Sequence, residues 1–261
     1  PIRSGEICFA ILPGRSSGTV IFYWNTSSQN DFRKSVLAEE IALYILKIRH
    51  KFAFSGNTAN KGGENVETYF CKTKILVDDI SALKKLGARR LMVVADPFFA
   101  ENGTAKRLTD LCEESCVFSE VSPDPPVEQV ARATAKMKAF APDTVAAIGG
   151  GSAIDCAKAM IFFSGLSVTF VAIPTTSGSG SEVTDFAILT HGGIKHPLVD
   201  PKLRPDCAIL DGDLLSELPP SLVADGGFDV LTHALEAFTA KNANPITDSF
   251  ARDAFGVVFR N

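Results

Sequence analysis

Two turns rich in glycine and hydroxyl groups, and one Asp–His pair, hold most of the chemistry this sequence offers. Gly149, Gly150, Gly151 and Ser152 follow an apolar run at 144–148 and precede a stretch at 153–164 with the apolar spacing of a helix. Glycines at such a turn let the backbone approach a pyrophosphate, and the first helical N–H groups and the helix dipole favour its charge. A tight structural turn uses glycine as well, so the motif alone leaves both readings open. Asp155, one turn into the helix, either helps the helix start or reaches the sugar or amide of a ligand. The second turn, Pro174-Thr-Thr-Ser-Gly-Ser-Gly-Ser-Glu-Val-Thr184, follows another apolar strand at 168–173. Its Thr175, Thr176, Ser177, Ser179 and Ser181 offer hydrogen bonds to a cofactor through side chains and backbone. The apolar residues on either side, Ile173 and Val183, argue for an ordered loop rather than a linker.

Carboxylates stand at two further strand ends. Asp96 follows the apolar strand 90–95, where a carboxylate can accept hydrogen bonds from ribose hydroxyls and repel a 2′-phosphate; an Asp-Pro turn is the plain alternative. Asp124, in Ser-Pro-Asp-Pro, has the same two readings. Asp229 and His233 stand at i, i+4 in a helical stretch at 221–239, which places carboxylate and imidazole on one face. Such a pair is often just an exposed or capping interaction. Here Phe228, Val230, Leu231, Ala234, Leu235 and Phe238 predict a helix with little surface left for water. A buried Asp beside a His needs a partner, and a divalent metal is the simplest one. Two protein ligands are too few, so others must come from elsewhere; His50, His191 and His196 are not on a downstream helix.

The elements that must position these groups are legible from position 68 onward. Edge strands are expected at 69–77, a short helix at 80–86 ending on Gly87 as a natural C′ residue, and helices at 104–114 and 127–140 around a strand at 116–121. Strands alternating with helices predict βαβ units and a parallel sheet. Short strands at 186–189, 195–199 and 207–210 follow, then a turn of helix at 214–218. Pro219-Pro220 opens a helix, proline suiting the first turn, and the chain stays helical to Asn261 apart from Asn242-Ala-Asn-Pro245. An α/β domain at 67–218 therefore gives way to an all-helical one beginning at 219–261. Residues 1–66 stay unassigned, with strands at 7–12 and 19–24, an amphipathic helix at 34–50 and a polar linker at 55–66.

Composition narrows the class. With 261 residues, 46% hydrophobic, the chain can build a large core. A net charge of −4 speaks against a nucleic-acid partner, which wants a basic stripe. Cys8, Cys71, Cys112, Cys116, Cys156 and Cys207 form no metal or disulfide pattern, which suggests a reducing, cytoplasmic setting. No apolar run approaches the roughly 18 residues of a membrane span, and no signal-peptide pattern opens the chain. Its first residue is not Met, so a fragment or processed product is expected.

Taken together, four motifs resemble the iron-containing (group III) alcohol dehydrogenases of the dehydroquinate synthase-like fold. They are Gly-Gly-Gly-Ser-Ala-Ile-Asp-x-Ala-Lys at 149–158, the hydroxyl-rich turn at 174–184, Lys-x-Pro-Leu at 195–198 and Gly-x-Asp-x-Leu-Thr-His-Ala-x-Glu-Ala at 227–237. The likeness is strongest to the branch that handles small primary alcohols and aldehydes, such as propanol or butanol dehydrogenases. It implies a Rossmann-like domain with NAD over the glycine turn: Gly150, Gly151, Ser152 and Asp155 on the pyrophosphate and nicotinamide side, Thr175, Thr176, Ser179 and Thr184 lining the groove, and Lys195 near the ribose. Asp96 then favours NAD over NADP. Asp229 and His233 become the first two of four ligands to Fe²⁺, with Zn²⁺ also suited to such a site. The resemblance places two further histidine ligands beyond Asn261, so a C-terminally truncated enzyme of little or no activity is expected. The competing readings are a zinc glycerol dehydrogenase-type enzyme and a non-catalytic nucleotide-binding remnant. A homodimer is the candidate assembly.

Overall fold

A computed structural model describes residues 8–11, 20–23, 66–70, 72–216 and 218–260. The first two segments, strands β1 (Cys8–Ile11) and β2 (Val20–Tyr23), pair antiparallel in a unit of their own. The helix expected at 34–50 lies outside the described residues. So does the linker expected at 55–66, except Val66, which opens the next strand.

The second unit is built on a seven-stranded sheet. Its strands are β3 (Val66–Phe70), β4 (Thr73–Val77), β5 (Arg90–Ala95), β6 (Glu114–Phe118), β7 (Thr144–Gly149), β8 (Thr169–Pro174) and, after the β9–β10 hairpin described below, β11 (Cys207–Leu210). Their spatial order is β3-β4-β11-β8-β7-β5-β6, and only the β3–β4 pair is antiparallel. Helix α1 (Pro97–Glu101) and helix α2 (Thr104–Thr109) link β5 to β6. Helix α3 (Val127–Phe140) links β6 to β7, and α4 (Gly151–Ser164) links β7 to β8.

The central strands are apolar throughout because helices cover both faces of the sheet. Alternation along each strand divides the core in two. Met92, Val94, Val145, Ala147, Phe170 and Ala172 pack with α3 and α4. Leu91, Val93, Ala146, Ile148, Val171 and Ile173 pack on the opposite face with Leu83, Phe99 and Leu108. The Ile80–Leu86 segment is a 3₁₀ helix that ends on Gly87 at φ 72°. The helix expected at 104–114 stops at Thr109: the Leu111 and Cys112 N–H groups fold back on the Leu108 and Thr109 carbonyls in i→i−3 turns, and the Glu114 N–H, at the head of β6, joins the sheet through the Arg89 carbonyl.

From β5 the chain moves outward to β6, then returns to the other side of β5 to make β7 and continues to β8. The strand order thus reverses between β5 and β7, and the carboxyl ends of these two strands, Ala95 and Gly149, flank the reversal. Ligands of open α/β sheets bind in the crevice at such a point.

Hairpin strands β9 (Phe186–His191) and β10 (Ile194–Val199) lie outside the main sheet. After helix α5 (Asp213–Ser216), α6 (Pro220–Thr239) and α7 (Pro245–Arg260) form a helical hairpin. Among the described residues no helix is long and apolar enough to cross a membrane.

Candidate cofactor cradle and metal half-site

The crevice is shaped by missing side chains. Gly149 ends β7 at φ 148°. A Cβ there would fall 2.7 Å from the Ala153 Cβ and 3.0 Å from the Asp96 Cβ. Asp96 therefore stands directly against the glycine turn, and its N–H donates to the Ile148 carbonyl at 2.9 Å. Its carboxylate caps α1, accepting from the Phe98 N–H at 3.0 Å. Asp96 is thus both the Asp-Pro turn and a carboxylate at the crevice.

The two turns lie side by side. A Cβ on Gly150 would meet the Thr176 Cγ2 at 3.2 Å, and one on Gly151 the Ser179 Cβ at 3.1 Å. Thr175 is buried, and its N–H bonds the Gly149 carbonyl at 3.0 Å. Gly150 is the N-cap of α4, a 14-residue helix whose amino end opens at this junction. On the outer side the Asp124 N–H donates to the Ser152 Oγ at 3.2 Å, and Lys195 pairs with Asp124 at 2.8 Å. Asp124 takes a left-handed φ of 51°, a conformation Asp tolerates better than most residues. Asp96, Asp124, Ser152, Lys195 and both turns are therefore gathered around one crevice.

Asp155 does not stand free at the turn. It is largely buried, and its two oxygens accept from the Ser181 hydroxyl at 2.6 Å and the Ile188 N–H at 2.9 Å. Burial raises its pKa and these two bonds oppose the rise. Thr184 likewise turns its hydroxyl inward, accepting from Lys158 at 3.1 Å.

The second turn also touches α6. A Cβ on Gly178 would fall 2.7 Å from the Asp229 Oδ2, and one on Gly226 would fall 2.9 Å from the Ser177 Oγ. Glycine on both sides lets loop and helix meet backbone to backbone. The His233 Nδ1 lies 3.1 Å from the Gly178 carbonyl oxygen. A carbonyl only accepts, so Nδ1 carries the proton. The Nε2 lone pair is then left on the side of the Asp229 carboxylate, 3.7 Å away. A histidine that donates one ring nitrogen to a carbonyl and keeps the other bare is oriented as a metal-binding histidine is. The pair thus fits a divalent cation in donor type and tautomer.

The burial expected of this pair is not observed. The Asp229 and His233 side chains are 46% and 51% exposed, and Leu235 and Phe238 are exposed too. Only one side of α6 is covered among the described residues, by α7 and the Gly178 turn, so a single packed stripe replaces the all-round burial read from composition. No group of three potential ligands occurs among the described residues.

Two features of this region went unmarked in the sequence. One is a cavity of about 390 Å³ between the second turn, α6 and α7, mostly apolar and lined by Gly178, Glu182, Val183, Leu210, His233 and Phe250 among others. The Glu182 Oε2 is shut off from solvent with no hydrogen-bond partner, and burial pushes its pKa up. The other is Lys158, wholly buried beneath the cradle. Its place in the glycine motif was visible, but nothing local predicts that a lysine is buried in mid-helix.

The sequence pattern of the iron-containing alcohol dehydrogenases matches residues 67–212, and that of the Fe-containing alcohol dehydrogenase family C-terminal region matches 223–261. The chain belongs to the iron-containing alcohol dehydrogenase family. It is 41% identical over 190 residues to the 1-propanol dehydrogenase PduQ of Citrobacter freundii, a match covering 69% of this chain and 51% of that protein. The chain thus spans about half the length of that curated relative. Among solved structures it is similar to an iron-containing alcohol dehydrogenase from Thermococcus thioreducens, with 31% identity and a TM-score of 0.68 over 74% of this chain and 59% of that one. It is also similar to a sulfoacetaldehyde reductase from Bifidobacterium kashiwanohense in complex with NAD+, with 32% identity and a TM-score of 0.69 over 75% and 59%.

Proposed function

We propose that this chain carries the NAD-binding region and the first two metal ligands of a metal-dependent alcohol dehydrogenase that interconverts a small primary alcohol and its aldehyde. The observation that carries the reading is the seating of two glycine-relieved turns against each other and against Asp96 at the reversal of strand order. In this reading residues 67–218 form the dinucleotide-binding domain and 219–261 begin the metal-binding one. Gly149, Gly150, Gly151 and Ser152 cradle the pyrophosphate at the amino end of α4. Thr175, Thr176 and Ser179 line the groove, and Thr184 and Asp155 hold its floor from within. Asp124 and Lys195 flank it as an ion pair.

The Asp96 carboxylate accepts from the ribose hydroxyls and repels a 2′-phosphate, which selects NAD over NADP. Asp229 and His233 Nε2 hold the divalent ion, Fe²⁺ by family and Zn²⁺ by donor chemistry. When bound, the metal supplies Lewis-acid polarisation of the alcohol or carbonyl oxygen and the nicotinamide supplies hydride exchange with the carbinol carbon. The protein's part is orientation: Gly178 fixes the imidazole, and the apolar cavity beside His233 takes the short alkyl chain and excludes water. The alcohol or aldehyde is the only partner this reading requires in a cytoplasmic setting, and a homodimer is its candidate assembly.

Titration of the chain with NADH, alongside metal analysis, tests the reading. Saturable NADH binding together with stoichiometric iron or zinc supports a dehydrogenase. NADH binding without metal supports a non-catalytic nucleotide-binding remnant. Absence of NADH binding rules out both.

A further inference from the structure

Lys158 is the largest wholly buried side chain in the described residues, with a relative exposure of 0%. Burying an ammonium is costly unless each N–H finds a partner. Here the three donors meet three acceptors: the Ser181 Oγ at 2.9 Å, the Thr184 Oγ1 at 3.1 Å and the Phe186 carbonyl at 2.7 Å. All three acceptors belong to one short segment, which continues directly from the turn that carries Thr176, Gly178 and Ser179. Asp155, at i−3 on α4, grips the same segment through the Ser181 hydroxyl and the Ile188 N–H. Ser181 is the common point, donating to Asp155 and accepting from Lys158. It lies two residues after Ser179 and opens the single 3₁₀ turn Ser181–Val183.

With its donors saturated from below, Lys158 has none left for a ligand in the crevice. We propose that Lys158 is a positioning residue that clamps the 181–186 segment onto α4 and so sets the second turn against the glycine turn, with the Gly178 carbonyl on His233. The cofactor half of this inference rests on the reading of the crevice as an NAD site; the clamp itself does not. The charge is held there against its own preference. Burial brings the Lys158 pKa down to about 8, opposed by Asp155, Glu182 and Asp185. A packed hydrocarbon of similar length serves stability as well or better. What the ammonium adds is one defined arrangement of a loop rich in glycine and serine.

The test uses the full chain as wild type, Lys158→Met, Ser181→Ala and the double variant, with two readouts. In hydrogen exchange without cofactor, Lys158→Met speeds the amides of 176–184 at least tenfold and leaves those of β5 and β7 unchanged. In NADH titration, Lys158→Met raises Kd at least tenfold and Ser181→Ala raises it in the same direction. The double variant loses less than the sum of the two single effects, since the Lys158–Ser181 bond is common to both. Unchanged exchange at 176–184 in a folded Lys158→Met, or independent additive effects on Kd, overturn the clamp. If Lys158→Met does not fold, Ser181→Ala decides alone: wild-type exchange and a Kd within twofold of wild type overturn the proposal. Faster exchange at 176–184 with no NADH binding by the wild type leaves the clamp standing and removes the NAD reading instead.

Discussion

At Asp96 one side chain answers two demands. Its carboxylate caps α1 and also faces the glycine turn. Asn caps a helix about as well as Asp, so Asp96→Asn separates the two roles. The expected outcome is unchanged thermal stability with the ratio of NADPH to NADH Kd falling at least tenfold, read by paired fluorescence titrations; an unchanged ratio counts against the ribose role. Gly149 has no such latitude. Gly149→Ala forces a side chain into a φ of 148° and against Ala153 and Asp96. A loss of about 1–3 kcal/mol in unfolding free energy and a large loss of NADH affinity are expected, the first measured by urea denaturation. The glycines, hydroxyls and Asp96 were legible because their residue types are needed where the backbone comes close. Lys158 was not, since burial of a lysine depends on acceptors more than 20 residues away. Asp155 was marked, but its carboxylate faces down into the fold, which spacing along one helix cannot reveal.

Elements explain why the two halves of the site meet. The second turn packs against the glycine turn through Thr176 and Ser179, and against α6 through Gly178 and Gly226. One loop thereby links the cradle to the Asp229–His233 pair. Gly178→Ala would place a methyl 2.7 Å from the Asp229 Oδ2 and displace it. Loss of the support around a ligand costs about 10–100-fold in metal affinity, so Gly178→Ala should weaken the two-ligand Zn²⁺ site by at least tenfold, read from the His233 imidazole NMR shift over a millimolar Zn²⁺ titration. Equal affinity for wild type and variant would contradict the metal role of the pair. The alternation of strands and helices was readable from residue 68 because each central strand is covered on both faces. The environment of α6 was not: its apolar residues predicted burial all round, whereas Asp229, His233, Leu235 and Phe238 are exposed. Periodicity gives the stripe that is apolar, not what lies against it.

For the whole molecule, the buried charges under the cradle set a pH dependence. Lys158 has a pKa of about 8, below its usual 10.5. Between these values the unfolded chain binds more protons, so this residue makes stability rise with pH. Asp155, Glu182, Asp185 and Arg204 are the charges that act on it. Cys156, pushed by burial to about 11, works in the opposite direction above pH 9 but does so in both proteins. The unfolding free energy of the wild type relative to Lys158→Met should therefore increase from pH 8 to pH 10, as measured by denaturation at each pH; a flat difference would contradict the assignment. The fold class, the sheet and the family were all legible in the sequence, and so was the gathering of two turns at one crevice. The reading proposed for residues 67–218, in a chain that spans about half the length of the 1-propanol dehydrogenase PduQ, requires a complete dinucleotide cradle. Titration of the purified chain with NADH, followed by nicotinamide fluorescence, tests it most directly. Saturable binding of one NADH per chain, weakened at least tenfold by Gly149→Ala, is expected. A folded chain that shows no saturable binding, or one that binds equally well with Gly149→Ala, would contradict it.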